Sequence, residues 1–232
     1  LKQIQAKNGG YRIGAAVAGG ELSDHPDVKT VWPGVVEAMD LVGSRQVQGR
    51  ASLGGNLCNA SPAADSVPAM IAAGATCTIA GPAGRREAKV EDIVTGPGQT
   101  SLAPGEFVVS FFLPARPPHS GDAYLRLIPR TEMDIAVVGA GVSVSLDDGG
   151  VCVAARVALG AVAPTQLLVE AGAQALIGTQ VDAAALAELS AAASAACKPI
   201  DDKRGTVAYR TKVAGVLARR AAEMALQRAR AN

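Results

Sequence analysis

Apolar and polar positions along this chain follow two regimes that change near its middle. Residues 1–8 read as the end of a strand, Gly9-Gly10 as a turn, and 11–17 as a second strand. Ser23-Asp24-His25-Pro26 supplies an N-cap for a short helix. After Trp32-Pro33, Val35, Val36, Met39 and Val42 recur at helical spacing until Gly43 ends the run. Residues 51–59 are small and glycine-rich, and Ser61-Pro62 opens a helical stretch through Met70 and Ile71 that Gly74 closes. Strands are predicted over 75–80 and 88–90, about a Gly81-Pro82-Ala83-Gly84 turn, and over 106–113; 94–104 read as loop.

The string Ala-Arg-Pro-Pro-His-Ser-Gly at 115–121 interrupts both periodicities and marks the expected domain boundary, with one domain over 1–116 and another over 121–232. Beyond it, 123–127, 135–146 and 151–159 predict a three-stranded antiparallel sheet with a hairpin at Asp147–Gly150. Three helices follow over 166–176, 182–196 and 206–230, the second capped by Asp182. The expected fold class is α+β, or α/β in the broad sense.

Composition narrows the function. Lys plus Arg number 22 and Asp plus Glu 21, a net charge of +1, so no basic excess serves a nucleic-acid backbone. Aromatic residues make up 3%, which leaves the core to Ala, Val, Leu and Ile and provides no platform for stacked bases. The longest apolar run, 135–146, is too short to span a bilayer, and no charged start leads into an apolar secretion signal. The four cysteines form no Cys-x-x-Cys pair and His25 and His119 stand alone, so neither zinc nor an iron–sulfur cluster is expected on this chain. Buried thiols in a reducing cytoplasm are the expectation.

Two glycine motifs compete for attention. Ala136-Val-Val-Gly139-Ala-Gly141-Val imitates a dinucleotide fingerprint, but the third glycine position is Val144 and the following residues alternate as a strand. The stronger candidate runs from Ala51 to Asp65: Ser52-Leu53-Gly54-Gly55-Asn56 and then Ala60-Ser-Pro-Ala-Ala-Asp65. Two glycines without side chains let a backbone approach a bulky anion and aim N–H groups at phosphate oxygens. Ser52 and Asn56 add neutral donors, and Asp65 an acceptor for sugar hydroxyls.

That string resembles the FAD-binding medium subunit of the molybdenum hydroxylases, the family of the carbon monoxide dehydrogenase flavoprotein and the xanthine dehydrogenase FAD domain. The likeness continues through Tyr11-Arg12-Ile13-Gly14-Ala15 with Glu21-Leu22, through Pro129-Arg130 with Asp134-Ile135-Ala136, and through Ile200-Asp201-Asp202, Arg204-Gly205 and Tyr209-Arg210. It implies the second subdomain of a vanillyl-alcohol-oxidase-type FAD-binding domain, built on a five-stranded, largely antiparallel sheet. It implies that Ser52, Leu53, Gly54, Gly55 and Asn56 contact the FAD pyrophosphate and adjoining sugar, and that Asp65 accepts a hydrogen bond from the cofactor. Val108 falls at a hydrophobic cofactor contact and Arg126 at a basic position near the flavin ring. Val42 stands where xanthine dehydrogenase has an aromatic residue, so a stacking contact is lost. The family's other phosphate loop, in an N-terminal subdomain, would lie upstream of Leu1.

The implied role is a cytoplasmic electron-transfer subunit carrying FAD. Its partners would be a large subunit with the molybdenum cofactor and a small one with [2Fe-2S] clusters, assembled as a dimer of heterotrimers. Arg204 and Arg210 are expected to be structural or interfacial. The rival readings are a non-redox scaffold of the same fold that has lost its flavin, and a self-standing FAD oxidase, for which neither histidine offers a convincing base.

Overall fold

The computed structural model describes residues 1–232, which form two main antiparallel sheets, with helices packed against them, and one small hairpin. In the first half, β1 (Ile4–Lys7), β2 (Gly10–Gly14), β3 (Thr76–Gly81), β4 (Gly84–Lys89) and β7 (Phe107–Leu113) make a five-stranded sheet in the order β1-β2-β7-β3-β4. The first hairpin turns on Asn8 and Gly9, both at positive φ. The expected loop at 94–104 contains a small separate hairpin, β5 (Val94–Gly96) with β6 (Gln99–Thr100), turned by Gly98 at φ +69°.

Between β2 and β3 lie six short helices: α1 (Gly19–Asp24), α2 (Pro26–Val31), α3 (Pro33–Asp40), α4 (Arg45–Gln48), α5 (Leu53–Cys58) and α6 (Ser66–Ala72). Ser23 does not cap α2. Its hydroxyl donates back to the Gly19 carbonyl inside α1, and His25 is the cap, its Nδ1 accepting from the Val28 N–H at 3.4 Å. The helix expected from Ser61 begins only at Ser66, because Ser61–Asp65 form turns first. Gly74 does end α6, at φ +67°.

In the second half, β8 (Ser120–Leu127), β9 (Val138–Leu146) and β10 (Cys152–Gly160) are the three expected antiparallel strands. A two-residue strand, β11 (Leu167–Leu168), pairs with the outer edge of β10 and makes the sheet four-stranded. Two adjacent leucines fit either periodicity, so sequence alone assigns them to the helix that starts at Glu170. The helices are α7 (Glu170–Leu176), α8 (Ala183–Ala196) and α9 (Val207–Ala231). Asp182 caps α8 through the N–H groups of Ala184 and Ala185.

Each half has its own core. The first is built around Ile13, Leu53, Met70 and Phe111, and the second around Val142, Leu159, Leu189 and an alanine stripe on α9. Ala214, Ala218, Ala221, Ala222, Ala225 and Ala229 are all buried, and their small size lets α9 lie close on the sheet. Tyr124 and Ala158, on the second sheet, pack into the first core and join the two.

Cys77 and Cys152 are buried as expected, whereas Cys58 is exposed at the end of α5 and Cys197 is half-buried. No helix is long and apolar enough to cross a membrane.

Candidate functional site

The Ser52–Asn56 string is not an open loop. It forms the first turn of α5, with Ser52 as N-cap, its hydroxyl accepting from the Gly55 N–H at 3.1 Å. The N–H of Gly54 donates to the Ala15 carbonyl, also at 3.1 Å, and Ala15 in turn donates to the Val109 carbonyl on β7. Both glycine N–H groups are therefore used within the protein. This corrects the expectation that they are free for phosphate. The Leu53 N–H has no protein acceptor, and the Ser52 hydroxyl keeps its own hydrogen to donate.

The two glycines serve different ends. A Cβ on Gly54 would stand 2.5 Å from the Ala15 carbonyl oxygen, so the absent side chain is what seats α5 on β2 and β7. Gly55 is exposed, and a Cβ there would meet nothing closer than Ser52 Oγ at 3.4 Å. A glycine inside a helix costs about 1 kcal/mol against alanine. No packing within this chain accounts for that cost at Gly55.

Asn56 links this turn to Asp65. Its Oδ1 accepts from the Ser66 N–H at 3.1 Å and from the Ser66 hydroxyl at 2.7 Å, which holds the start of α6 beside α5. Asp65 is buried, and both carboxylate oxygens have partners: Tyr124 Oη donates to Oδ1 at 3.0 Å and Arg126 Nη1 to Oδ2 at 2.8 Å. Burial pushes the Asp65 carboxyl up to about 6, against the opposing pull of Arg126 and Tyr124. Each oxygen has a second lone pair, so Asp65 can still accept a hydrogen bond from a ligand.

Arg126 also donates to the Leu41 carbonyl at 2.8 Å, and its side chain is buried. It borders a cavity of about 450 Å³ together with Asp65, Val42, Arg130, Asp134 and Ile135. That volume falls in the range of small-molecule sites. Met133 and Ile135 are large apolar residues left exposed at this cavity. Val108 is buried on β7, next to the Val109 carbonyl that anchors Ala15. Of the expected residues, Ser52–Asn56 are joined through Asn56 to Asp65 and Arg126, while Val108 lies in the buried core of the first sheet, paired with Ile79.

Sequence reasoning does not single out Tyr124. Its signal is nevertheless present: on β8 it lies two residues from Arg126 and therefore on the same face. Arg204 and Arg210 hold the chain's own structure. Arg210 is buried, donating to the Val137 carbonyl and pairing with Asp202, while Arg204 pairs with Asp134 at 3.2 Å. No cluster of three or more potential ligands offers a metal site.

Comparison with known proteins gives the family. Residues 1–116 match the family model for the FAD binding domain in molybdopterin dehydrogenase, and residues 123–225 that for the CO dehydrogenase flavoprotein C-terminal domain. The carbon monoxide dehydrogenase medium chain of Afipia carboxidovorans is 36% identical over 198 residues, 85% of this chain and 68% of that one. That of Hydrogenophaga pseudoflava is 32% identical over 98% of this chain and 79% of its own length. Among solved structures, reconstituted CO dehydrogenase from Oligotropha carboxidovorans superposes with a TM-score of 0.94 at 33% identity, covering 98% of this chain and 79% of that one. Quinoline 2-oxidoreductase from Pseudomonas putida 86 gives 0.88 at 30% identity over 98% of this chain and 78% of that one. The chain belongs to the FAD-binding medium-subunit family of the molybdenum hydroxylases and is an oxidoreductase subunit.

Proposed function

We propose that this chain carries FAD and passes electrons from the [2Fe-2S] clusters of a small partner subunit to an external acceptor, within a cytoplasmic heterotrimer whose large subunit holds the molybdenum cofactor. Two such heterotrimers pair. Residues 1–116 form the FAD-binding domain and 121–232 the C-terminal flavoprotein domain. FAD supplies the redox chemistry, accepting electrons singly and yielding them in pairs, while the protein contributes position and electrostatics.

The observation that carries this reading is Gly55, an exposed helical glycine whose missing side chain relieves no contact in the chain itself. The Leu53 N–H and the Ser52 hydroxyl, both without a protein acceptor, would donate to the pyrophosphate there. Gly54 contributes by seating α5, and Asn56 by tying it to α6. Asp65 accepts from the cofactor's sugar chain, Val108 backs the site with apolar surface, and Arg126 sets a cation near the flavin ring. A cation there favours the reduced, anionic flavin.

Gly55→Asp tests the reading. A carboxylate at that point repels the diphosphate and fills the space it needs, so the full chain loses its flavin absorbance while its circular dichroism is unchanged. Retained flavin in the variant would overturn the site. A wild-type protein that never takes up flavin would favour the scaffold reading instead.

A further inference from the structure

The Gly139-Ala140-Gly141 string, left without a role once the dinucleotide reading fails, has its explanation at Asp65. β8 and β9 pair so that Arg126 faces Gly139 and Tyr124 faces Gly141. A Cβ on Gly139 would stand 2.4 Å from Tyr124 Oη, so the hydroxyl occupies the space that a side chain would fill. A Cβ on Gly141 would stand 2.8 Å from the Pro68 carbonyl oxygen in α6, the helix that follows Asp65 directly. One glycine makes room for the hydroxyl that reaches Asp65, and the other for the helix that presents Asp65.

We propose that Tyr124 and Gly139 are positioning residues for the cofactor, fixing the Asp65 carboxylate and, through it, the direction of the Arg126 guanidinium. The inference rests on the FAD reading above and extends it to residues that touch no ligand. Arg126 Nη1 is held between two oxygens, Asp65 Oδ2 and the Leu41 carbonyl, each at 2.8 Å. If the Tyr124 bond is lost, the carboxylate is free to rotate and one of those two anchors moves. Tyr124 is buried, so water cannot replace the missing donor.

The groups facing Asp65 are few. Tyr124 and Arg126 reach it from β8, and α6 carries no titratable side chain. Arg130, Asp134 and Arg204 line the same cavity, and Asp40, Arg45 and Glu132 line a second one that Arg126 also borders. The Tyr124 hydrogen bond stabilises the ionised carboxylate, so removing it makes Asp65 harder to ionise.

The test uses the full chain loaded with FAD and follows the flavin absorption spectrum from pH 5 to 8. The wild type shows a step near pH 6, where Asp65 titrates. Tyr124→Phe keeps the flavin and moves the midpoint up by about one pH unit, the size expected for a hydrogen bond to a charged group. Gly139→Ala, which removes no polar atom, moves it in the same direction by displacing the hydroxyl. Should Gly139→Ala fail to fold, Tyr124→Phe keeps the ring volume and carries the test. A parallel carbon NMR titration of the flavin-free chain follows the Asp65 carboxyl itself. If that carboxyl shifts in Tyr124→Phe but the flavin step does not, the pair is structural only and the proposal falls. It falls equally if both variants titrate as wild type while Gly55→Asp still abolishes flavin, which would leave the FAD site standing. If Gly55→Asp binds FAD normally, the site and the positioning role fall together.

Discussion

Arg116, in the segment between the two sheets, lies 2.9 Å from Asp122 at the start of β8, with both side chains nearly excluded from solvent. The approach is ionic rather than a well-aligned hydrogen bond, since Asp122 Oδ1 meets no donor in bonding geometry. The Gly34 N–H of α3 donates to Asp122 Oδ2 at 2.9 Å, and the Arg116 guanidinium stacks on the Trp32 ring 5.0 Å away. Residues from the first half, the connecting segment and the second sheet therefore meet at one buried carboxylate.

This junction makes stability depend on pH. Burial raises the Asp122 carboxyl to about 6 and Asp65 to about 6 as well, whereas an unfolded carboxyl titrates near about 3.9. Between about pH 4 and 6 the folded state holds protons that the unfolded state has released, so these two groups make stability fall as pH rises and add no slope above that window. Denaturant unfolding across this range should show the decline. Asp122→Asn should flatten it by about half. At pH 7 the variant, which like the protonated carboxyl carries no charge, should escape that decline.

The two adjacent glycines should separate cleanly by assay. Gly54→Ala places a methyl 2.5 Å from the Ala15 carbonyl oxygen, so it should lower the melting temperature whether or not flavin is present. Gly55→Ala meets only Ser52 Oγ at 3.4 Å and should raise the stability of the flavin-free chain by up to about 1 kcal/mol. It should nevertheless weaken FAD binding. Fluorescence titration with FAD, alongside thermal unfolding of the flavin-free form, checks both outcomes.

Glu37 on α3 gathers a second junction. It accepts from the Tyr124 N–H at 3.2 Å and forms an ion pair with Arg228 of α9, which also donates to the Asp122 carbonyl at 2.7 Å. Both side chains are partly exposed, so solvent screening reduces what the pair contributes. Glu37→Ala should cost about 2 kcal/mol, mostly from the orphaned Tyr124 N–H, and lower the melting temperature by roughly 4–8 °C. Glu37→Gln keeps an acceptor for that N–H and should lose less.

Gly121 marks where α9 rests on β8. A Cβ there would sit 1.9 Å from the Ala225 carbonyl oxygen, a backbone atom that cannot turn aside. Gly121→Ala should therefore displace α9 and cost more than about 3 kcal/mol, read by denaturant unfolding. Exposed Gly84, with nothing within 4 Å of a built Cβ but φ at +109°, should lose only the smaller cost of backbone strain.

Much of this protein is written locally. Apolar runs rich in β-branched and aromatic residues mark β7 and β9, and the Asp182 cap can be read directly, because each depends on residues a few positions apart. The order Ser52 to Asp65 identifies the family for the same reason: its spacing is a continuous string. Sequence could not say that Gly54 answers to Ala15 while Gly55 answers to nothing in the chain, since identical neighbours acquire different surroundings only when α5 packs on β2 and β7. Nor could it say that Gly139 belongs to Tyr124 and that Tyr124 belongs to Asp65, 59 positions away. Those relations come from strand register and helix docking, which bring distant residues within a hydrogen bond's reach and leave no trace in local periodicity.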